Sequence, residues 1–383
     1  MKILLVSDFF PTGKDLRFSG GVEARTFFIA KYLAKKHTVH VITSRLTGSK
    51  RREKLFGFTV YRVGQESSYA TGNISIFLLP KKISFFYSAV KKASDLDLDI
   101  VDGCDFIGHL ISKLISFKKQ IPTVFWYPDV FIGQWVKTSG IFAGFGGYIL
   151  EKINLSLSPN RFIAISTQTQ NKLIKNNIPQ EKISVIPCGV DLNEFNSKFK
   201  KKNEKIHILT IGRLVWYKRI QDLIFAYALI NKTRKKLNLT IIGRGPQRNK
   251  LDELIKNLKL SRVKILKNLK RDELINVLQN STVFCLPSEI EGFGISVIEA
   301  AAAHVPYVVS DIPVFKEITK KGKGGLFHKL GNIKDLAKKI EMLIDDKNLY
   351  QKKIKEGALL AKQYSWAQIA LETENIYKNT IKN

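Results

Sequence analysis

Short apolar runs rich in Val, Ile and aromatic residues punctuate the first half of the chain: KILLVSDF (2–9), VHVIT (39–43), FTVYRV (58–63), DIVDGCD (99–105), PTVFWYP (122–128) and FIAIS (162–166). Between them lie stretches with apolar residues at helical spacing, the first over 22–36. Strand runs alternating with helical stretches are the rhythm of a parallel sheet wrapped by helices. A second series follows: IHILTIG (206–212), LTIIG (239–243), VKILK (263–267), TVFCLP (282–287) and PYVVS (306–310). The two series are separated by the polar, Lys-rich KFKKKNEK (198–205), a candidate hinge or linker. The pattern predicts an α/β protein with an N-terminal domain over 1–195 and a C-terminal domain over 196–363. A last segment, 364–383, is predicted helical to residue 382 and able to reach back across the joint.

The length of 383 residues suffices for two domains with cores of their own. With 44% hydrophobic and 25% charged residues, disorder as the main state is excluded. No apolar run approaches the ~18 residues of a membrane-spanning helix, and Met1 leads into the strand-like ILLV rather than a signal peptide. A cytoplasmic protein is expected. Cys104, Cys188, Cys285 and six histidines are scattered without CxxC or HExxH spacing, so the cysteines read as packed thiols and no metal site is expected. The net charge of +30 is spread over both halves. It favours polyanions, an anionic lipid surface or a phosphorylated substrate; a Lys-rich solvated surface is the plain alternative. Neither GxxxxGK[ST] nor GxGxxG after the first strand is present, which weighs against P-loop hydrolysis and dinucleotide redox chemistry.

The most informative string is LPSEIEGFGISVIEA (286–300), a strand end, two glycines around Phe293, and the start of a helix. Gly292 and Gly294 let the backbone approach a ligand, and the amides of Gly294, Ile295 and Ser296 at a helix N-terminus suit a phosphate. Glu291 stands just before this amide nest and needs a partner bearing hydroxyls or developing positive charge, which a sugar supplies. Glu299 lies about one turn into the helix and is placed to accept two ribose hydroxyls. A surface turn and an ordinary helix are the bland alternative. In TIGRLVWYKRIQDLIFAYALI (210–230), Arg213 and Lys218 follow a strand at the carboxyl edge of the sheet, where open α/β sheets bind ligands. Both could clamp a diphosphate, Arg as a fork and Lys as a point charge. Gly20 and Gly21 precede the first helix, near Glu23, and could let a phosphate or sugar approach; a plain flexible loop reads equally well.

In this order, SGGVE, RFIAIS, ISVIPCGVDLNEF, IGRLVWYKRIQDLI, LTIIGRGPQRNKL, LPSEIEGFGISVIEA and PYVVSDIPVFKEI resemble the large family of retaining nucleotide-sugar glycosyltransferases that includes sucrose-phosphate synthase and mannosyltransferases of lipid-glycan assembly. The resemblance implies the GT-B architecture, two Rossmann-like parallel-sheet domains facing a cleft, with the N-terminal domain binding acceptor and the C-terminal domain the nucleotide sugar. It implies that Arg213 and Lys218 hold the donor diphosphate, Glu291 contacts the transferred sugar, Glu299 the ribose, and the backbone from Gly292 and Phe293 to Ser296 the sugar hydroxyls and phosphate. Gly20 and Gly21 would approach the donor phosphate. No cofactor beyond the UDP- or GDP-linked donor and no metal is implied. Retention without an obvious protein nucleophile implies front-face departure and attack.

Two positions depart from the family pattern. Where many members carry a His after the strand matching PTVFWYPDV, this chain has Pro128 and Asp129, so Asp129 is the expected substitute. AAAHVPYVV (301–309) replaces a glycine-containing string, and His304 reads as structural. For the acceptor, KKISFFYSAVKK (81–92) brackets Phe85, Phe86 and Tyr87 with Lys81, Lys82, Lys91 and Lys92, the composition of a helix lying on an anionic membrane. Residues 31–62 add nine Lys or Arg against the single acid Glu53. The apolar, Gly-rich 133–150 suits a hydrophobic acceptor. The expected function is transfer of a hexose or N-acetylhexosamine to a lipid-linked glycan at the cytoplasmic face of the membrane, with no nucleic acid as partner. The alternatives are a sugar-nucleotide epimerase or phosphorylase on the same fold, or a non-enzymatic polyanion-binding protein.

Overall fold

Eight strands build the first sheet of the computed structural model: β1 (Lys2–Ser7), β2 (Thr38–Leu46), β3 (Arg52–Leu55), β4 (Phe58–Ser67), β5 (Ile100–Gly103), β6 (Thr123–Tyr127), β7 (Arg161–Ala164) and β8 (Ile183–Val185). Their order is β3-β4-β2-β1-β5-β6-β7-β8, parallel except for the β3–β4 pair. Ile3, Leu4, Leu5 and Val6 of β1 are fully buried, as a central strand covered on both faces requires. The described residues are 1–12, 16–18, 20–67, 79–195, 206–234 and 236–382, so the Lys-rich 198–205 lies outside them. The connecting helices are α1 (Gly21–Leu33), α2 (Leu79–Ser94), α3 (Phe106–Lys119), α4 (Trp135–Ser139), α5 (Ile141–Ser156) and α6 (Thr167–Lys175).

The second sheet holds β9 (Ile206–Ile211), β10 (Leu237–Ile242), β11 (Val263–Leu266), β12 (Val283–Leu286), β13 (Tyr307–Ser310) and β14 (Gly325–His328), all parallel, in the order β11-β10-β9-β12-β13-β14. Its helices are α7 (Ile220–Asn231), α8 (Arg248–Asn257), α9 (Arg271–Gln279), α10 (Ile295–Ala302), α11 (Pro313–Ile318), α12 (Ile333–Asp345) and α13 (Lys347–Lys362), followed by α14 (Trp366–Lys382).

The chain divides into two units, Met1–Cys188 with Trp366–Asn383, and Gly189–Ser365. The division falls a few residues before the sequence boundary at 195. Val190 donates its amide to the Tyr364 carbonyl at 2.7 Å and bridges Ser365, so 190–195 travel with the second sheet. Helix α14 packs on the first unit, where Trp366 stacks on Phe28 at 5.2 Å and 13°.

Strands β3, β8 and β14 have no counterpart in the predicted strand runs. Strand β3 is a polar edge strand joined to β4 through Phe56 (φ 44°) and Gly57 (φ 94°), the two positive values of a type I′ hairpin turn. His304 holds φ 56° after α10, with its amide bonded to Ala301 O at 3.1 Å and that of Val305 to Ala300 O at 2.9 Å. This is a Schellman cap in a left-handed position that usually favours glycine. All three cysteines are buried, and burial pushes their thiols up.

Candidate active site

In the second sheet β9 has β10 on one side and β12 on the other, so the strand order reverses between β9 and β12. The carboxyl ends of the strands at such a point leave a crevice for ligands. Arg213 and Lys218 follow β9; Ser288, Glu291 and the head of α10 follow β12. These residues meet. Lys218 Nζ pairs with Glu291 Oε2, both side chains mostly buried, and Ser288 Oγ donates to the same oxygen at 3.3 Å. Arg213 donates to the Tyr217 hydroxyl at 2.7 Å, and the Glu289 amide donates to the Tyr217 carbonyl at 2.7 Å, joining the two loops.

Gly294 caps α10 with φ 91° and ψ 55°. A Cβ there would stand 2.9 Å from Phe315 Cε1, so both backbone and packing demand glycine. Ser296 Oγ donates to Ile211 O at 3.3 Å and ties the helix head to the end of β9. Phe293 is buried edge-on against Tyr364, at 5.6 Å. The head of α10, with the amides of Gly294, Ile295 and Ser296, is therefore fixed beside Lys218 and Glu291. Such an amide cluster with a Lys and an Arg can hold a diphosphate.

Glu299 is buried and paired with Arg271, whose Nη1 donates to Glu299 Oε1 at 2.6 Å. The same guanidinium grips Glu194 through Nη2 at 2.7 Å and Nε at 3.1 Å. Burial works against the charge of Arg271, but the Glu299 and Glu194 carboxylates outweigh it and hold its pKa above the ordinary value. Arg271 and Glu194 escape the sequence reading. Arg271 opens a plain helix, Glu194 stands 77 positions away, and only the fold brings them to Glu299.

In the first unit Gly20 is the N-cap of α1 with extended backbone, and a Cβ there would meet nothing within 4 Å. Neither its dihedrals nor its packing in the unit requires a glycine. Asp129 is buried, paired with Lys172 at 2.6 Å and accepting the Val130 amide at 2.8 Å. Nearby in sequence, Glu151 takes the Phe131 amide at 3.1 Å and Trp135 Nε1 at 2.6 Å; burial pushes its carboxyl up to about 7. At the β1/β5 reversal, Asp105 accepts from Ser7 Oγ at 2.9 Å and from the amides of Asp8 at 2.6 Å and Gly108 at 2.7 Å. Burial and the Asp8 charge raise its carboxyl to about 6. Asp8 in turn pairs with Lys82.

The expected membrane residues on α2 need correction. Phe85 is 1% exposed and belongs to the core with Leu4, Val6 and Ile111, and Phe86 packs partly against the same cluster. Phe85 therefore has no side chain free to enter a bilayer, and Phe86 is half-buried. Their burial follows from helical periodicity, which turns Phe85, Ala89 and Ala93 onto the sheet. Lys82 is drawn to Asp8 and Lys92 to Asp95 at 3.2 Å, so of the four lysines only Lys91 is exposed, and Lys81, Lys82 and Lys92 are half-buried. Tyr87, Ile83 and Leu79 are the exposed apolar residues of this helix.

Two family models match the chain: "Glycosyl transferases group 1" over residues 192–360 and "Glycosyltransferase Family 4" over residues 19–194. A Campylobacter jejuni N,N'-diacetylbacillosaminyl-diphospho-undecaprenol alpha-1,3-N-acetylgalactosaminyltransferase is 28% identical over 82% of this chain and 85% of its own length. The alpha-monoglucosyldiacylglycerol synthase of Acholeplasma laidlawii is 24% identical over 78% of this chain and 80% of its own. Among solved structures, the sucrose-phosphate synthase of Thermosynechococcus elongatus superposes with a TM-score of 0.81 at 18% identity, covering 99% of both chains. An Anabaena protein, HepE, solved in complex with UDP and glucose, gives 0.76 at 18% identity over 99% of both. The two models overlap at residues 192–194 and together span residues 19–360, and the chain belongs to the GT-B glycosyltransferases, with a family 4 match in its first part and a group 1 match in its second.

Proposed function

We propose that this chain transfers a hexose or N-acetylhexosamine from a UDP- or GDP-linked donor to a hydroxyl of a lipid-linked glycan, with retention of configuration and without a metal, at the cytoplasmic face of the membrane. The observation that carries the reading is the Lys218–Glu291 pair beside the head of α10. A cation, an amide cluster and a carboxylate at one strand-end crevice fit a diphosphate joined to a sugar. An arriving diphosphate competes with Glu291 for Lys218; Lys218 turns to the phosphate and frees the carboxylate for the sugar. Arg213, Lys218 and the α10 amides then stabilise the charge that grows on the leaving diphosphate, the part a metal plays elsewhere. The bond from the anomeric carbon to the diphosphate oxygen breaks as the acceptor oxygen bonds on the same face. The acceptor proton passes to the leaving phosphate oxygen. Glu299, held by Arg271, is oriented for the ribose hydroxyls. The C. jejuni relative, which by its name works with an undecaprenol-linked diphosphate, supports the lipid-linked acceptor.

The test is Glu291→Gln. Loss of the sugar-facing carboxylate lowers turnover by roughly 100-fold or more while donor affinity stays within a few-fold. Near-normal turnover removes Glu291 from the chemistry. Activity is expected to persist in chelator, and a strict divalent-cation requirement would refute the metal-free route. Determination of the product's anomeric configuration decides retention.

A further inference from the structure

Helix α5 is built inside out. Its inward positions are Gly144, Gly147, Glu151, Asn154 and Leu155, while Phe142 (94% exposed), Ile141 (73%) and Phe145 (62%) face solvent with Tyr148, Ile149 and Ile153. The inward face is filled by specific contacts. A Cβ on Gly147 would stand 2.4 Å from Trp135 Cε3, and one on Gly144 2.6 Å from Val136 Cα. Glu151 binds Trp135, and Asn154 Nδ2 donates to Phe106 O at 2.8 Å. These contacts lock the helix in one rotation, so the phenylalanines cannot turn inward.

Charge selects what covers this face. Helix α3 packs between α2 and α5 in one layer. Across the three helices there are eight lysines, of which Lys82 and Lys92 are paired with Asp8 and Asp95, and a single carboxylate, Glu151, which is fully buried. Asp95 and Asp97, which follow α2, pair with Lys92 and Lys2. Phe117, at the end of α3 beside Lys118 and Lys119, is 80% exposed. A surface that is basic, free of exposed helical carboxylates and studded with aromatic side chains matches the interface of an anionic bilayer, where cations meet headgroups and Phe enters the acyl boundary. A soluble polyanion would use the lysines and leave Phe142 and Phe145 in water. At 16 residues, α5 lies in the interface rather than crossing it.

We infer that the outer face of the α2–α3–α5 layer is the surface on which this chain rests against an anionic bilayer, with Phe142 and Phe145 of α5 as the inserting residues. The inference deepens the membrane part of the proposed function by naming the surface, and it moves the insertion from the buried Phe85 to α5.

The experiment is sedimentation with vesicles of phosphatidylglycerol or of phosphatidylcholine, at low and high salt. Wild-type protein is expected to bind the former, weakly bind the latter, and release with salt. The double variant Phe142→Ser/Phe145→Ser, at two exposed positions, is expected to bind at least about tenfold less while keeping the wild-type melting temperature. In a Phe142→Cys variant, the one exposed thiol beside three buried ones, an environment-sensitive dye should shift to the blue on adding anionic vesicles. Failure of the wild type to bind, equal binding by the double variant, or an unshifted dye overturns the inference. So does a wild-type dimer that becomes monomeric in the double variant, since the face would then bind a second copy. Transfer to a lipid-linked acceptor in detergent is read separately. Transfer without vesicle binding sinks the docking surface and spares the proposed function; vesicle binding without transfer does the reverse.

Discussion

Arg271 holds two carboxylates in a buried setting, and its removal strands both. Arg271→Met is expected to cost on the order of 3–5 kcal/mol, the penalty for leaving a buried charge unpaired. Arg271→Lys should recover part of the stability but not the forked geometry that aligns Glu299. In urea denaturation the order wild type, Lys, Met is expected, and calorimetric titration should show Lys weakening nucleoside binding more than binding of inorganic diphosphate. A uniform loss for both ligands would mean Arg271 serves only the fold. Glu151 gives a pH prediction. Its carboxyl is raised to about 7 by burial, above the value of an unfolded Glu at roughly 4.3. The folded state therefore keeps a proton that the unfolded chain has released, and stability from this group falls as pH rises through that window. Glu151→Gln keeps an acceptor for Trp135 Nε1 and removes the titration, so its melting temperature should fall less than that of the wild type between about pH 5 and about pH 8.

At the scale of elements, α10 is the piece on which the proposed donor site turns. Gly294→Ala forces a side chain into the left-handed region and against Phe315, at a cost of roughly 1–3 kcal/mol. The helix head must shift to relieve that contact, and the amides move with it. Diphosphate affinity should drop by tenfold or more, on the order of 1.4 kcal/mol, while nucleoside affinity drops less; unchanged diphosphate binding would show that the amides do not hold the phosphate. This helix was legible because EGFG marks a strand end and helix start in adjacent residues. Strand β3 was not, since REKL is polar and charged on an edge, and its only signal was the Phe56-Gly57 turn. The four-residue β14, GLFH, is too short for alternation to separate it from a loop.

At the scale of the molecule, α14 follows the second unit in sequence and completes the first. Tyr377 donates to Asp102, a fully buried carboxylate that also pairs with Arg25 at 2.8 Å, and Arg25 lies over the Trp126 ring at 5.1 Å. Burial opposes the charge on Arg25, but Asp102 overrides it and keeps the guanidinium protonated. His37 meets Glu374 at 3.0 Å nearer the helix middle. Tyr377→Phe removes one donor to a buried carboxylate and is expected to destabilise by about 1–3 kcal/mol, read in thermal melts. Truncation after Ser365 should do far more. It bares Phe28, leaves Asp102 short of a partner, and is expected to yield aggregated protein; a soluble truncate with a wild-type melting temperature would show the helix to be dispensable.

The sequence alone determined the two α/β series, the α10 string with Glu291 and Glu299, and the basic pair Arg213 and Lys218. Each of these is written in neighbouring residues, in strand runs, turn glycines and helix starts, and local order survives in one dimension. Tertiary structure alone decided which side chains meet: Lys218 with Glu291 across 73 positions, Arg271 with Glu299 and Glu194, and Tyr377 with Asp102 across 275. It also decided which aromatics are core. Phe85 and Phe142 both lie on helices rich in aromatics, yet one is buried against β-strand residues and the other stands in solvent. Composition cannot separate them, because a helix shows its outward face only once something else has covered the inward one.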